Sequence, residues 1–258
     1  MKMNRRSAFL VDQARRYNSI DFIASDPISI PHRYDRKEDV EISGLCTALI
    51  SWGRRDLIIR SAMEWMQLMD HRPYEFVMQA SESELASLRT FVHRTFKDSD
   101  PVDLLRSLRQ LYGSAGGMEA AFAVRDGEED SSSAIVRFRN ELLEQAHQKR
   151  FEKHLADPSS GSAAKRLHMF LRWMVRKDEV GVDLGIWTSI PMSKLMIPLD
   201  VHSGRVAREM GILKRKANDH QAVVEITRFS RSIFPEDPAL MDYAFFGMGV
   251  DPEGDSST

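Results

Sequence analysis

The sequence predicts an all-α fold, and three observations predict it. Apolar residues recur at three- and four-residue spacing through most of the chain, which is the period of a helix with one buried face. Alternation of strand type is scarce, with "KLMIPL" the one short apolar run that reads as extended. Helix start and stop signals punctuate the pattern, as where Asp100-Pro101 and Asp237-Pro238 precede apolar runs and Gly113 ends one. With 258 residues, 42% of them hydrophobic, the chain can bury a sizeable core as one large domain or two small packed ones.

Taken in order, "SGLCTALISWGRRDLIIRSAMEWMQLMD" reads as one or two apolar helices interrupted near Gly53. In "DPVDLLRSLRQLYG", Leu104, Leu105, Leu108, Leu111 and Tyr112 share a face, and Asp100 is placed to cap it. "SSAIVRFRNELLEQAH" and "AVVEITRFSRSIF" are amphipathic in the same way, and "ALMDYAFFGMGV" forms a last, very apolar segment. Loop-like breaks are expected at 24–39, 113–133, 156–163 and 178–193. The second, with three glycines in five residues and then an acidic serine-rich run, is the best internal boundary. The expected layout is a single helical unit with subdomains near 40–125 and 134–250, and residues 1–39 packing on the second.

Composition removes several function classes. One cysteine, Cys46, allows neither a disulfide framework nor a cysteine-ligated zinc or iron–sulfur cluster within the chain, so no cofactor of that kind is expected. No segment has signal-peptide or membrane-span character, and a cytoplasmic protein without a membrane partner is the expectation. Phosphate-loop, nucleophile-elbow and HExxH motifs are missing, no metal site is expected, and the adjacent His-Asp of all-α metal phosphohydrolases is missing too. Net charge is -2, but residues 149–216 hold 14 Lys and Arg against 7 Asp and Glu, a balance of +7 that leaves -9 elsewhere. Such a segment is a polyanion face or a set of solvated helices.

Within it, "ADPSSGSAAKRLHMFLRWMVRKD" sets a Pro/Ser/Gly turn before a helix whose apolar face is Ala164, Leu167, Phe170, Leu171, Met174 and Val175. Lys165, His168, Arg172 and Arg176 then form a cationic stripe, read as a solvated face or as groups near a phosphate held by the turn and Lys165. Further on, Pro198 disfavours helix just before Asp200, and Val201 to Met210 is helical in pattern, so Asp200 is placed as an N-cap. A carboxylate at a helix N-terminus is favoured in its charged form, so capping and chemistry coincide there.

These pieces resemble the helix-hairpin-helix DNA glycosylase superfamily. "ALISWGRRDLIIRSA" is similar to its "LLSAQATD"-like helix through Ser51 and Asp56, with Gly53 where a glutamine is usual. "GSAAKR" resembles "GVGTKV" at Gly161 and Lys165, with Ala163 at the second glycine. "IPLDVHSGRVAREMGIL" resembles "VPVDTHVxRVxxRLG" at Pro198, Asp200, His202, Arg205, Val206 and Gly211, and "DYAFFGMG" is similar to the final helix. The Lys165–Asp200 interval is closer to the compact archaeal 8-oxoguanine glycosylases, which carry no iron–sulfur cluster. The whole chain also resembles an uncharacterised bacterial family of this length, of the DUF2400 type.

The resemblance implies two helical subdomains with the active site in the cleft between them, and excision of a damaged base from double-stranded DNA by a monomer, with scope for AP-lyase chemistry. Lys165 would be the nucleophile and Asp200 the carboxylate that stabilises the sugar cation. Lys194, just before "IPLD", is a rival nucleophile, and Arg166 and Arg172 are candidate cationic neighbours that depress the amine. Gly161, Ser162, His168, Arg172, His202, Arg205, Arg208, Lys214 and Lys216 would contact DNA. Trp52, Trp173 and Trp187 are stacking partners for a flipped base or core residues. Two other readings stand beside this one: a non-catalytic nucleic-acid-binding protein on the same fold, and a small-molecule enzyme or interaction module without a nucleic-acid role.

Overall fold

The computed structural model describes residues 5–114 and 116–250; residues 1–4 of the expected N-terminal segment and residue 115 of the expected 113–133 break lie outside them. The described residues are mostly helical, as the periodicity predicts. Their helices are α1 (Arg5–Tyr17), α2 (Lys37–Leu49), α3 (Arg55–Leu68), α4 (Pro73–Gln79), α5 (Glu82–Ser87), α6 (Asp100–Gly113), α7 (Gly117–Phe122), α8 (Ser132–Leu143), α9 (Lys165–Val175), α10 (Val201–Glu209), α11 (His220–Arg231) and α12 (Met241–Val250). A small antiparallel ribbon, β1 (Val92–His93) with β2 (Phe96–Lys97), was not foreseen.

The chain divides into two compact units, one of residues 23–127 and 133–156, the other of residues up to Phe22, Glu128–Ser132 and the chain from Asp157 on. The border therefore falls inside the expected 113–133 break. Residues 23–39 and α8 group with α2–α7. For α8 the reason is packing: Phe138 stacks on Phe122 at 3.9 Å, and the Leu142 carbonyl accepts from Ser107 Oγ at 2.7 Å.

In the unit of α2–α8, α2 is buried from Val40 to Leu49. The break between α2 and α3 centres on Gly53, at φ +102°, where a side chain would meet the Arg94 guanidinium. Trp65, Phe91 and Phe96 fill the space under the ribbon, with ring centroids 4.8 and 5.1 Å from Trp65. Asp100 does not cap α6 as expected, because the cap position is Ser99. Its buried carboxylate instead accepts from Lys97 N at 2.9 Å and meets His154 Nε2 at 3.1 Å and Arg150 at 2.9 Å.

In the other unit, α12 packs between α1 and α10. Leu10, Ile197, Leu199, Val206, Leu213, Val223, Ile226 and Phe245 build the core there. The "KLMIPL" run is extended but pairs with no strand; its Ile197 N–H goes to Thr227 Oγ1 at 3.1 Å. The apolar face predicted for α9 is buried throughout, but so is most of the opposite face. After α9 the chain folds back so that Leu184 N–H and Trp187 N–H each meet a carbonyl of its last turns, Trp173 and Met174, at 2.8 Å.

Candidate active site

Two helix starts in this unit carry the predicted pair. Asp200 caps α10: its Oδ1 accepts from His202 N–H at 2.8 Å and Ser203 N–H at 2.9 Å, so the extended residue after Pro198 satisfies the first amides of the helix. The loop before α11 closes over this helix end. Asn218 Nδ2 donates to the Asp200 carbonyl at 3.0 Å, and Arg208 donates to the Asn218 side chain and to the Arg215 carbonyl. Gly204 permits that approach, because a Cβ there would stand 2.7 Å from Asn218 Oδ1.

Lys165 opens α9. The turn before it is set by Asp157, which accepts from Ser159 N–H at 2.9 Å, and by Gly161 at φ +89°. Gly161 and Ser162 lie beside the start of α11, with His220 N–H donating to the Gly161 carbonyl at 2.9 Å. Ala163, at the expected second glycine, is not in the left-handed region. Ala164 is, at φ +44°, a conformation that costs a non-glycine residue roughly 1–2 kcal/mol. Lys165 Nζ lies 3.4 Å from Met169 Sδ.

The sequence reading missed a buried carboxyl in this unit. Asp242, in the first turn of α12, feels the charges of both Lys165 and Asp200. Burial pushes its carboxyl up to about 6; Arg172 and Lys165 work against that rise, and Asp200 and Asp183 add to it. One of its oxygens pairs with Arg172, and the other, Oδ1, is buried with no hydrogen-bond partner among the described residues.

The stripe beside Lys165 is corrected. His168, Arg172 and Arg176 are 0%, 4% and 1% exposed, so none of them faces solvent or a phosphate. Arg172 reaches Asp183 at 3.1 Å and Asp242; Arg176 reaches Asp178, Asp237 and Asp183 at 2.7, 2.9 and 3.2 Å. Tyr243 donates to Asp183 at 2.8 Å beneath both guanidinium groups. Burial alone would weaken the Arg176 charge, but these carboxylates raise its pKa. Burial lowers His168 to about 4, and neither of its ring nitrogens has a partner among the described residues. Arg166 is also depressed by burial, to about 10.

The rival lysine has a structural task, since Lys194 Nζ donates to the carbonyls of Glu128 and Glu129 at 2.8 and 3.3 Å. Trp173 and Trp187 are core residues, 0% and 2% exposed, and present no ring face to a base. Trp52 belongs to the other unit, where it stands edge-on to His93 and stacks on His154. His202, Arg205, Lys214 and Lys216 are exposed on α10 and the loop after it; Arg205 pairs with Glu209 at 3.1 Å, and Arg208 is half-buried in the loop clasp. Among the described residues, no group of three or more His, Cys, Asp or Glu is arranged to hold a metal ion, and no helix is long and apolar enough to cross a membrane.

Fold and site together describe a helical protein with a capping aspartate and a helix-opening lysine whose helix starts are both bonded by the segment leading into α11. The chain belongs to the family described as "Protein of unknown function (DUF2400)", whose model matches residues 26–251. No curated protein and no solved structure matches it.

Proposed function

We propose that the protein is a DNA N-glycosylase with AP-lyase chemistry, of the helix-hairpin-helix type, acting on damaged double-stranded DNA. The observation that carries this reading is that the residues before α11 reach both helix starts: His220 N–H donates to the carbonyl of Gly161, four residues before Lys165, at 2.9 Å, and Asn218 Nδ2 donates to the Asp200 carbonyl at 3.0 Å. Breaking an N-glycosidic bond builds positive charge on the sugar, and the Asp200 carboxylate supplies a fixed negative charge for it. Lys165, as a neutral amine, attacks the anomeric carbon; the base leaves with the bonding electrons, and a Schiff base follows. The exposed His202, Arg205, Lys214 and Lys216 face the phosphates, with Gly161 and Ser162 at the turn before Lys165.

Borohydride trapping on duplexes carrying oxidised, deaminated or abasic sites tests the reading. Wild type is expected to form a covalent adduct on at least one lesion and Lys165→Gln on none. Absence of adduct, of base excision and of salt-dependent affinity for any of the duplexes would remove it.

A further inference from the structure

The segment leading into α11 is fastened at both ends. On the Lys165 side, His220 N–H donates to the Gly161 carbonyl at 2.9 Å, Ser162 pairs with Asp219 in an isolated antiparallel bridge, and Asp219 caps α11 while pairing with Arg215. On the Asp200 side, Asn218 Nδ2 donates to the Asp200 carbonyl at 3.0 Å, an oxygen that also accepts from Gly204 N–H at 3.0 Å. The orientation of the Asn218 amide is set by Arg208. Its Oδ1 accepts from Arg208 at 2.6 Å, which leaves the donor end for Asp200, and Arg208 also donates to the carbonyls of Arg215 and Ala217 at 2.8 and 3.3 Å. The helix face beneath them is closed, since a Cβ at Gly204 would stand 2.7 Å from Asn218 Oδ1 and 2.8 Å from an Arg208 nitrogen.

We infer that Asn218, held by Arg208, is a positioning residue for base release: it fixes the backbone of Asp200 against the turn that precedes Lys165. This rests on the glycosylase reading. The Asp200 side chain is tied to its own helix through Oδ1, and Asn218 supplies the tie to the neighbouring segment. A carboxylate helps a transition state when it is aimed in advance, so a small shift of this backbone carries a large cost in rate. Arg208 thereby acts through Asn218, in place of the phosphate contact expected from the sequence.

Asn218→Leu tests the inference, because it keeps the side-chain size, removes the donor and leaves Arg208 its two carbonyls. Single-turnover base release from a saturating duplex with an oxidised or deaminated base is expected to fall about 100-fold, the scale of a misplacement of about 1 Å, with duplex affinity unchanged. Trapping on a preformed abasic site needs Lys165 but no base release, and should fall far less. Arg208→Met should slow base release in the same way, and the double variant should lose no more than the larger single loss, since both act through one contact. Removal of a phosphate contact would instead weaken duplex binding and reduce its salt slope by about 1. A further readout needs no substrate: the His202 and Ser203 amides, held by Asp200, should exchange roughly threefold to tenfold faster in Asn218→Leu, the weight of one neutral hydrogen bond.

Base release at the wild-type rate in Asn218→Leu overturns the inference, and so do base release and abasic trapping that fall together in step with the folded fraction. An Arg208→Met protein that loses duplex affinity and salt slope but keeps its maximal rate overturns it too. Unchanged amide exchange does so whatever the activity. If exchange quickens while wild type releases no base from any duplex, the hold on Asp200 stands and the DNA reading falls instead.

Discussion

Arg172 donates from one guanidinium nitrogen to Asp242 and from Nε to Asp183, while the far oxygen of Asp242 stays buried without a partner among the described residues. The pair is asymmetric: the arginine is satisfied twice and the aspartate once. Replacing Arg172 by Met strands the buried carboxylate of Asp242, while Asp183 keeps Arg176 and Tyr243, and should cost about 3–5 kcal/mol of unfolding free energy. Asp242→Asn strands no charge and should cost far less. Urea unfolding of the two variants at pH 7 checks the order, and a loss below about 1 kcal/mol for Arg172→Met would mean the cluster is not what holds α9 and α12 together.

The same burial makes opposite pH signatures. Asp242 is raised to about 6 in the fold, so between about pH 4 and 6 the folded state keeps a proton that the unfolded chain has lost, and its contribution to stability falls as pH rises. His168 is lowered to about 4, so between about 4 and 6.5 the unfolded chain holds the extra proton and stability is lost as pH falls. The two slopes oppose one another in one window. Relative to wild type, Asp242→Asn should grow more acid-sensitive there and His168→Gln less so, by denaturant unfolding from pH 4 to 7. Parallel shifts at every pH would show that neither group titrates in the fold as described.

What the sequence made legible was local. An N-cap depends on one side chain and the next three amides, and Asp200 follows from "IPLDVHSGRV" because Pro198 ends the extended run just before it. The α9 stripe was misread because charges at helical spacing look alike whether water or carboxylates neutralise them. The neutralising groups, Asp183, Asp237 and Asp242, come from as far as 70 residues away. Asp242 did leave one signal: it is the lone acid in "ALMDYAFFGMGV", and a charge within so apolar a helix calls for a buried partner. The Ala164 backbone carried none, since alanine rarely takes a left-handed conformation.

Lys194 separates structure from chemistry. Its ammonium ties down the backbone of Glu128 and Glu129, next to Ser131, whose N–H donates to the Lys194 carbonyl at 3.0 Å. Lys194→Met should therefore lower stability by about 0.5–1.5 kcal/mol, the net worth of a charged donor's bonds to one half-buried and one exposed carbonyl, and leave borohydride trapping in place. Loss of trapping in a folded Lys194→Met protein would hand the nucleophile role back to this lysine.

Asp200 can be divided into its two duties by choice of replacement. Asparagine caps a helix about as well as aspartate, so Asp200→Asn should keep the bonds to His202 and Ser203 amides and lose only the attraction of a full charge for the helix end, about 0.3–1 kcal/mol. Alanine removes the cap as well, and Asp200→Ala should cost about 0.5–2 kcal/mol. Excision should not follow that order. In the proposed glycosylase reaction both variants lack the negative charge that would face the sugar cation, and each should slow base release by roughly 10²–10³, the size of effect seen when one preorganised electrostatic contact to a transition state is removed. Single-turnover excision beside thermal unfolding reads both quantities in one set of proteins. If the rate instead tracks stability, with Asp200→Asn close to wild type in both, then Asp200 is a cap and no more.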